Sequence, residues 1–174
     1  MNRIIRPGRT KPDPGPQINE LTKLWLEAFQ LCVNQKDYAL ARTMFSPSVI
    51  AFGTVAHAAI GIDELVSEQW RKRWPKNESF AFDIDQAKMI LAPPYVICVL
   101  TWSGTDIDGS ERKGRATIVL IAKKGEDEPV ELRCCHSHLS TLMRSELRPN
   151  DPSSPTCADQ DIERNQTKGK TDER

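Results

Sequence analysis

The side chains best suited to chemistry in this sequence are His136 and His138, followed by Arg115. The two histidines are one residue apart in a run that alternates like a β-strand, so both imidazoles are expected on one face. The same alternation assigns Leu132 and Cys134 to that face. Three chemistries compete there. Two imidazoles could hold a metal, but a catalytic centre needs a third protein ligand. His57 is the only other histidine, and no carboxylate is suitably placed in the strand pattern, so no metal and no cofactor are expected. General acid–base work is open to them, because imidazole is the side chain that changes charge near neutrality. The third reading makes them hydrogen-bonded histidines of a pocket wall or an interface. Ser137 points the opposite way from its neighbours and cannot pair with either as nucleophile and base.

Arg115 opens a strand whose continuation is strongly apolar. Pointing inward, it would need an anion: a ligand carboxylate, or a protein one such as Glu64 or Asp85. Pointing outward, it is a solvated strand-end arginine beside the charged Glu111-Arg112-Lys113. Other motifs are absent. There is no glycine-rich phosphate loop, no G-x-S-x-G elbow and no H-E-x-x-H pair. Lys+Arg and Asp+Glu balance at 24 each, which argues against nucleic acid or an anionic membrane as partner. The longest apolar run, Ile118 to Ala122, is too short to span a bilayer, and the first residues lack the apolar stretch of a secretory signal. Five cysteines without a CxxC pair suit a reducing compartment, so a cytoplasmic protein is expected.

The elements that must position these residues lie between 18 and 143. Residues 1–17 hold four prolines and two glycines, and the chain from Arg144 onward is polar and proline-rich. Neither stretch can bury enough apolar surface to offset its ordering entropy, so 1–17 and 144–174 are expected to be disordered tails. Ile18, Leu21, Leu24, Trp25, Ala28, Phe29 and Cys32 recur at helical spacing, with Glu20, Lys23, Glu27 and Gln30 mostly opposite. Asp37 is placed to cap a second helix that Pro47 closes. A strand is expected at Val49 to Gly53. A third helix opens near Gly61, carries Ile62, Val66, Trp70 and Trp74 at four-residue steps, and stops at Pro75. The period then becomes two. A phase slip after Ile84 predicts a bulge near Asp85 and Gln86. Asp108-Gly109 predicts a hairpin between strands at about 95–106 and 112–123, and a last strand runs from about Val130 to Leu142. Helices first and an antiparallel meander last make an α+β fold.

The two long strands are apolar on both faces: Tyr95, Ile97 and Val99 against Val96, Cys98, Leu100 and Trp102 in the first, with the same doubling in the second. With helices on one side only, a homodimer formed sheet to sheet is the expected cover for the other; the competing reading is a sheet buried within a larger monomer, for which the helix count leaves little material.

Three stretches carry a resemblance to a known family. They are Met44-Phe45-Ser46-Pro47-Ser48-Val49-Ile50, then Gly61-Ile62-Asp63-Glu64-Leu65, and finally Gly114-Arg115-Ala116-Thr117 followed by His136-Ser137-His138-Leu139-Ser140. In this order the chain resembles the nuclear transport factor 2-like (NTF2-like) superfamily, and the last pair resembles its SnoaL-like and kinase-association branch. The resemblance implies a cystatin-like cone, in which a curved antiparallel sheet wraps three N-terminal helices and leaves a pocket open at one end. Arg115, Tyr38, Trp102, His136 and His138 are then the candidate pocket residues. The carboxylate base of ketosteroid isomerase chemistry has no counterpart in Ser46-Pro47-Ser48 or in Thr101 and Ser103, and Asp106 and Asp108 fall at the hairpin, where solvated carboxylates are expected. The expected function is therefore a homodimeric module that binds a small hydrophobic or anionic molecule or serves oligomerisation. The alternative is a small isomerase, dehydratase or cyclase-like enzyme with His138 or His136 as general base on a hydrophobic carbonyl compound.

Overall fold

The computed structural model describes residues 15–55, 58–123 and 129–142. The segments expected as tails lie outside these residues, except that the first helix, α1, already begins at Gly15 and runs to Gln35. Its buried stripe is turned from the expected one. Thr22, Trp25, Leu26, Phe29, Cys32 and Val33 are buried, whereas Leu24 is 58% exposed. Both sets satisfy a 3.6-residue period, so only packing selects between them. The helix ends where Lys36 takes a left-handed conformation (φ 59°) and the Asp37 amide donates to the Cys32 carbonyl (2.9 Å). Asp37 then caps α2 (Tyr38–Thr43), its carboxylate accepting from the Leu40 amide at 2.9 Å, as expected from its type and place.

Pro47 does not close α2. It sits inside β1 (Phe45–Phe52), in a stretch where the pairing register shifts between Phe45 and Ile50, so its missing N–H costs no ladder bond. A two-residue β2 (Ala59–Ile60) pairs with β1. The third helix, α3, spans residues 62–73. It is α-helical at Ile62–Glu64, widens to a π-helix at Leu65–Trp70 and returns to α at Arg71–Arg73, before a 3-10 turn at Trp74–Lys76. The wider turns keep residues at four-residue steps on one face, and Ile62, Val66, Trp70 and Trp74 are all buried as expected.

Strands β3 (Asn77–Phe82), β4 (Lys88–Ala92), β5 (Tyr95–Asp106), β6 (Glu111–Lys123) and β7 (Glu131–Thr141) complete one curved seven-stranded sheet. Its order is β2-β1-β7-β6-β5-β3, with β4 also on β5. The sheet is antiparallel except for the β1–β7 pair, which is parallel. The expected bulge near Asp85 is a turn. β3 and β4 follow one another along β5, pairing with its residues 102–106 and 95–99, and the turn between them carries the phase slip. The hairpin expected at Asp108-Gly109 is present, with Gly109 at φ 80°. No helix among the described residues is long and apolar enough to cross a membrane.

The core lies between the helices and one face of this sheet. Phe29 is its centre, with ring contacts to Trp25, Phe45, Trp70, Trp74 and Phe82 at centroid separations of 5.1–6.3 Å. Polar side chains of α1 finish the sheet edge. Asn34 both donates to and accepts from Phe80 (2.9 and 2.8 Å), and Gln30 accepts from the Phe82 amide at 2.7 Å. Gln30 was expected opposite the buried stripe; instead it acts with Asn34 as a substitute strand against the open edge of β3.

A Cβ on Gly114 would lie 1.9 Å from the Ser140 carbonyl oxygen and 2.4 Å from the Trp102 ring, and a backbone atom cannot swing away. Gly114→Ala should therefore cost about 3 kcal/mol, of the order of overpacking a filled core, measurable as a lower urea midpoint. Cys98 is fully buried, and burial pushes its thiol from 9.0 up to about 11. The unfolded chain releases this proton near 9 while the folded chain holds it, so the unfolded state binds fewer protons and stability falls as pH rises from 9 to 11. Urea midpoints across that window should drop in the wild type and drop less steeply in Cys98→Ala.

Candidate functional site

Strand alternation on β5 and β6 decides what faces the helices. Val96, Cys98, Leu100 and Trp102 on β5, and Ala116, Ile118 and Leu120 on β6, are buried on that side. The same phase, followed outward, carries Asp106 and Arg112 to the end of the hairpin on the helix side. There they meet Arg73 from the end of α3.

Asp106 Oδ1 accepts from Arg73 Nη2 and, at 3.1 Å, from Arg112 Nε. The three side chains are only 14–19% exposed. Arg112 also donates through Nη2 to Asn77 Oδ1 (3.2 Å) and lies over the Trp102 ring, 5.2 Å from its centroid. Burial and the neighbouring charge of Arg73 lower the pKa of Arg112, while Asp106 pulls it back up. The hairpin carboxylate expected to be solvated is thus the counter-ion of two arginines.

These groups form the polar end of a cavity of about 70 Å³. Its apolar wall includes Phe29, Trp70, Trp74, Phe80 and Trp102, with Leu139 from β7 and the chain at Gly53–Val55 after β1. Gln69, buried on the π-helical turn, also lines it and donates to the Ala51 carbonyl at 3.3 Å. On the scale where one water needs roughly 10–15 Å³, the space holds a few waters or a molecule of only a few non-hydrogen atoms.

Of the residues the sequence put forward for a pocket, Trp102 alone lines this cavity. Arg115 is exposed, on the opposite phase of β6 from Ala116 and Ile118. His136 and His138 are also on the opposite side of the sheet, and the reason is a bulge. Leu120 pairs with Cys134 but Val119 pairs with His136, so Cys135 is an extra residue and the alternation reverses past it. Leu132 and Cys134 are buried toward the helices, while His136 and His138 share the outer face with Val119 and Thr117. Both imidazoles make edge contacts with Phe52 at about 6.0 and 5.9 Å. Tyr38 is stacked on Trp74 (5.0 Å, 11°) beneath Arg71, which holds its ring in helix packing rather than in the cavity wall. Glu64, one of the acids considered as a partner for Arg115, accepts from the Ile60 amide at 2.9 Å. His57 lies outside the described residues. Among the described residues no group of three or more His, Cys, Asp and Glu side chains could hold a metal.

The residues that sequence reasoning missed were Arg73, Asp106 and Arg112. Continuing the apolar alternation of β5 and β6 to their ends would have found the last two. Arg73 had no comparable signal, since its place depends on the wide turn in α3.

No family model matches the sequence, and no curated protein matches it. Solved structures do. An NTF2-like protein of unknown function from Pseudomonas putida superposes with a TM-score of 0.61 at 14% identity, covering 81% of this chain and 98% of that one. An uncharacterized protein with a cystatin-like fold from Caulobacter vibrioides gives 0.59 at 14% identity, covering 75% and 94%. A kinase-association-domain-like protein from Xanthomonas campestris gives 0.54 at 14% identity, covering 83% and 99%. At such identities the likeness establishes architecture alone: the chain has the NTF2-like, cystatin-like fold.

Proposed function

We propose that this protein is a homodimeric module of the SnoaL-like type, in which two copies pair through the outer sheet face and each offers its helix-side cavity to a small molecule. The observation that carries the proposal is the doubly apolar sheet. Its helix side is covered by the helices, yet the outer side presents Ile50, Phe52, Ile90, Tyr95 and Val99 at 41–55% exposure, around half-buried Ile97, Val119 and Ile121. Exposed apolar side chains in this number on one face favour burial against a partner. A second copy of the same face is the simplest complement, since a two-fold interface needs only self-complementary surface. His136, His138 and Arg115 then lie in or beside the interface, in the role of interface polar groups.

Enzymatic action with a histidine base draws no support from this geometry, because the imidazoles and the cavity lie on opposite sides of the sheet. The cytoplasm suits the module, as the described cysteines are free thiols.

The dimer is tested by light scattering at micromolar concentration. The wild type should have twice the chain mass. Val119→Glu, at the middle of the outer face, should give the single-chain mass with an unchanged far-UV circular dichroism spectrum. A monomeric wild type would overturn the proposal.

A further inference from the structure

Among the described residues, the cavity's polar end has more positive charge than its own lining neutralises. Arg73 and Arg112 share one carboxylate, that of Asp106. Asp108 at the hairpin is exposed and bonded to Ser110, although it feels the charge of Arg73. The wall therefore carries one excess positive charge in partly buried surroundings, where an unpaired cation is costly. A donor at the same end tells the same story. Arg73 Nε is buried and, among the described residues, has no acceptor. Buried donors in folded proteins are nearly always paired, with a ligand or water where the protein supplies no acceptor. The rest of the wall is aromatic and aliphatic.

We propose that the cavity binds a small monocarboxylate with an apolar body, its carboxylate received at the Arg73–Arg112 end beside the Trp102 indole and its body held against the aromatic wall. This rests on reading the helix-side cavity as a binding site, and it adds the ligand class. A carboxylate supplies one negative charge and acceptors for planar guanidinium donors. Asp106 is the element that sets the selectivity. By neutralising one arginine it leaves a site matched to a single charge.

The test is calorimetric titration of the full-length protein with benzoate and propionate, each compared with its neutral amide, benzamide or propionamide. At least one acid should bind about tenfold or more tightly than its amide, the value of a hydrogen bond to a charged group. Arg112→Gln should abolish that preference, and Arg73→Gln, which leaves the Arg112–Asp106 pair intact, should weaken it too. Both variants are checked for the wild-type circular dichroism spectrum. If neither acid outbinds its amide, or if the preference survives in both folded variants, the inference is overturned. Light scattering on the same samples separates the two proposals. A monomer that still selects the acid defeats the dimer alone, and a dimer without charge selection defeats the ligand class alone.

Discussion

The contact on which the rest of the structure depends is the aromatic cluster around Phe29. This ring joins α1 to β1 through Phe45, to α3 through Trp70, to the turn after it through Trp74 and to β3 through Phe82. Large aromatic rings bury much area each and favour tilted or offset pairs, so a cluster of them both drives collapse and fixes orientation. It also fixes where collapse stops. The rings fill the space between helices and sheet up to the end of the β5–β6 hairpin, and the cavity opens where Trp70, Trp74, Phe80 and Trp102 give way to charged side chains.

That polar boundary is a tertiary clamp. Arg73 comes from a helix, Asp106 and Arg112 from the two strands of a hairpin, and Asn77 from the strand that follows the helix. Partly buried ions require partners, so the shared carboxylate ties the end of α3 to the tip of the sheet. The same hairpin serves two surfaces. Its even-numbered side chains build the core and cavity, and its odd-numbered ones build the exposed apolar face. One ribbon separates the cavity from the exposed apolar face, which is why the placement of a single strand residue in or out of phase decides which of the two it joins.

Much of the fold was legible because it rests on local periodicity and turn chemistry. The four-residue steps of Ile62, Val66, Trp70 and Trp74, the Asp37 cap and the Asp108-Gly109 hairpin all act within a few residues, and each is found where its chemistry requires it. The site was less legible. The bulge at Cys135 reverses the alternation that assigned the histidines a place beside Cys134. Whether a strand has an extra residue is settled by its neighbour's register, and β7 has β6 on one side and a parallel β1 on the other. Asp106 looked solvated because a hairpin end usually meets water, yet an arginine from a helix more than thirty residues earlier covers it.

By itself the sequence determined an α+β domain with a sheet apolar on both faces, because alternation and helical spacing are properties of consecutive residues. It also determined that the chain is electrically balanced and free of familiar catalytic motifs. Tertiary structure alone decided which face the histidines occupy, which arginines line the cavity and which carboxylate neutralises them. Those outcomes depend on register shifts and on side chains meeting across long sequence separations, and no local pattern encodes either.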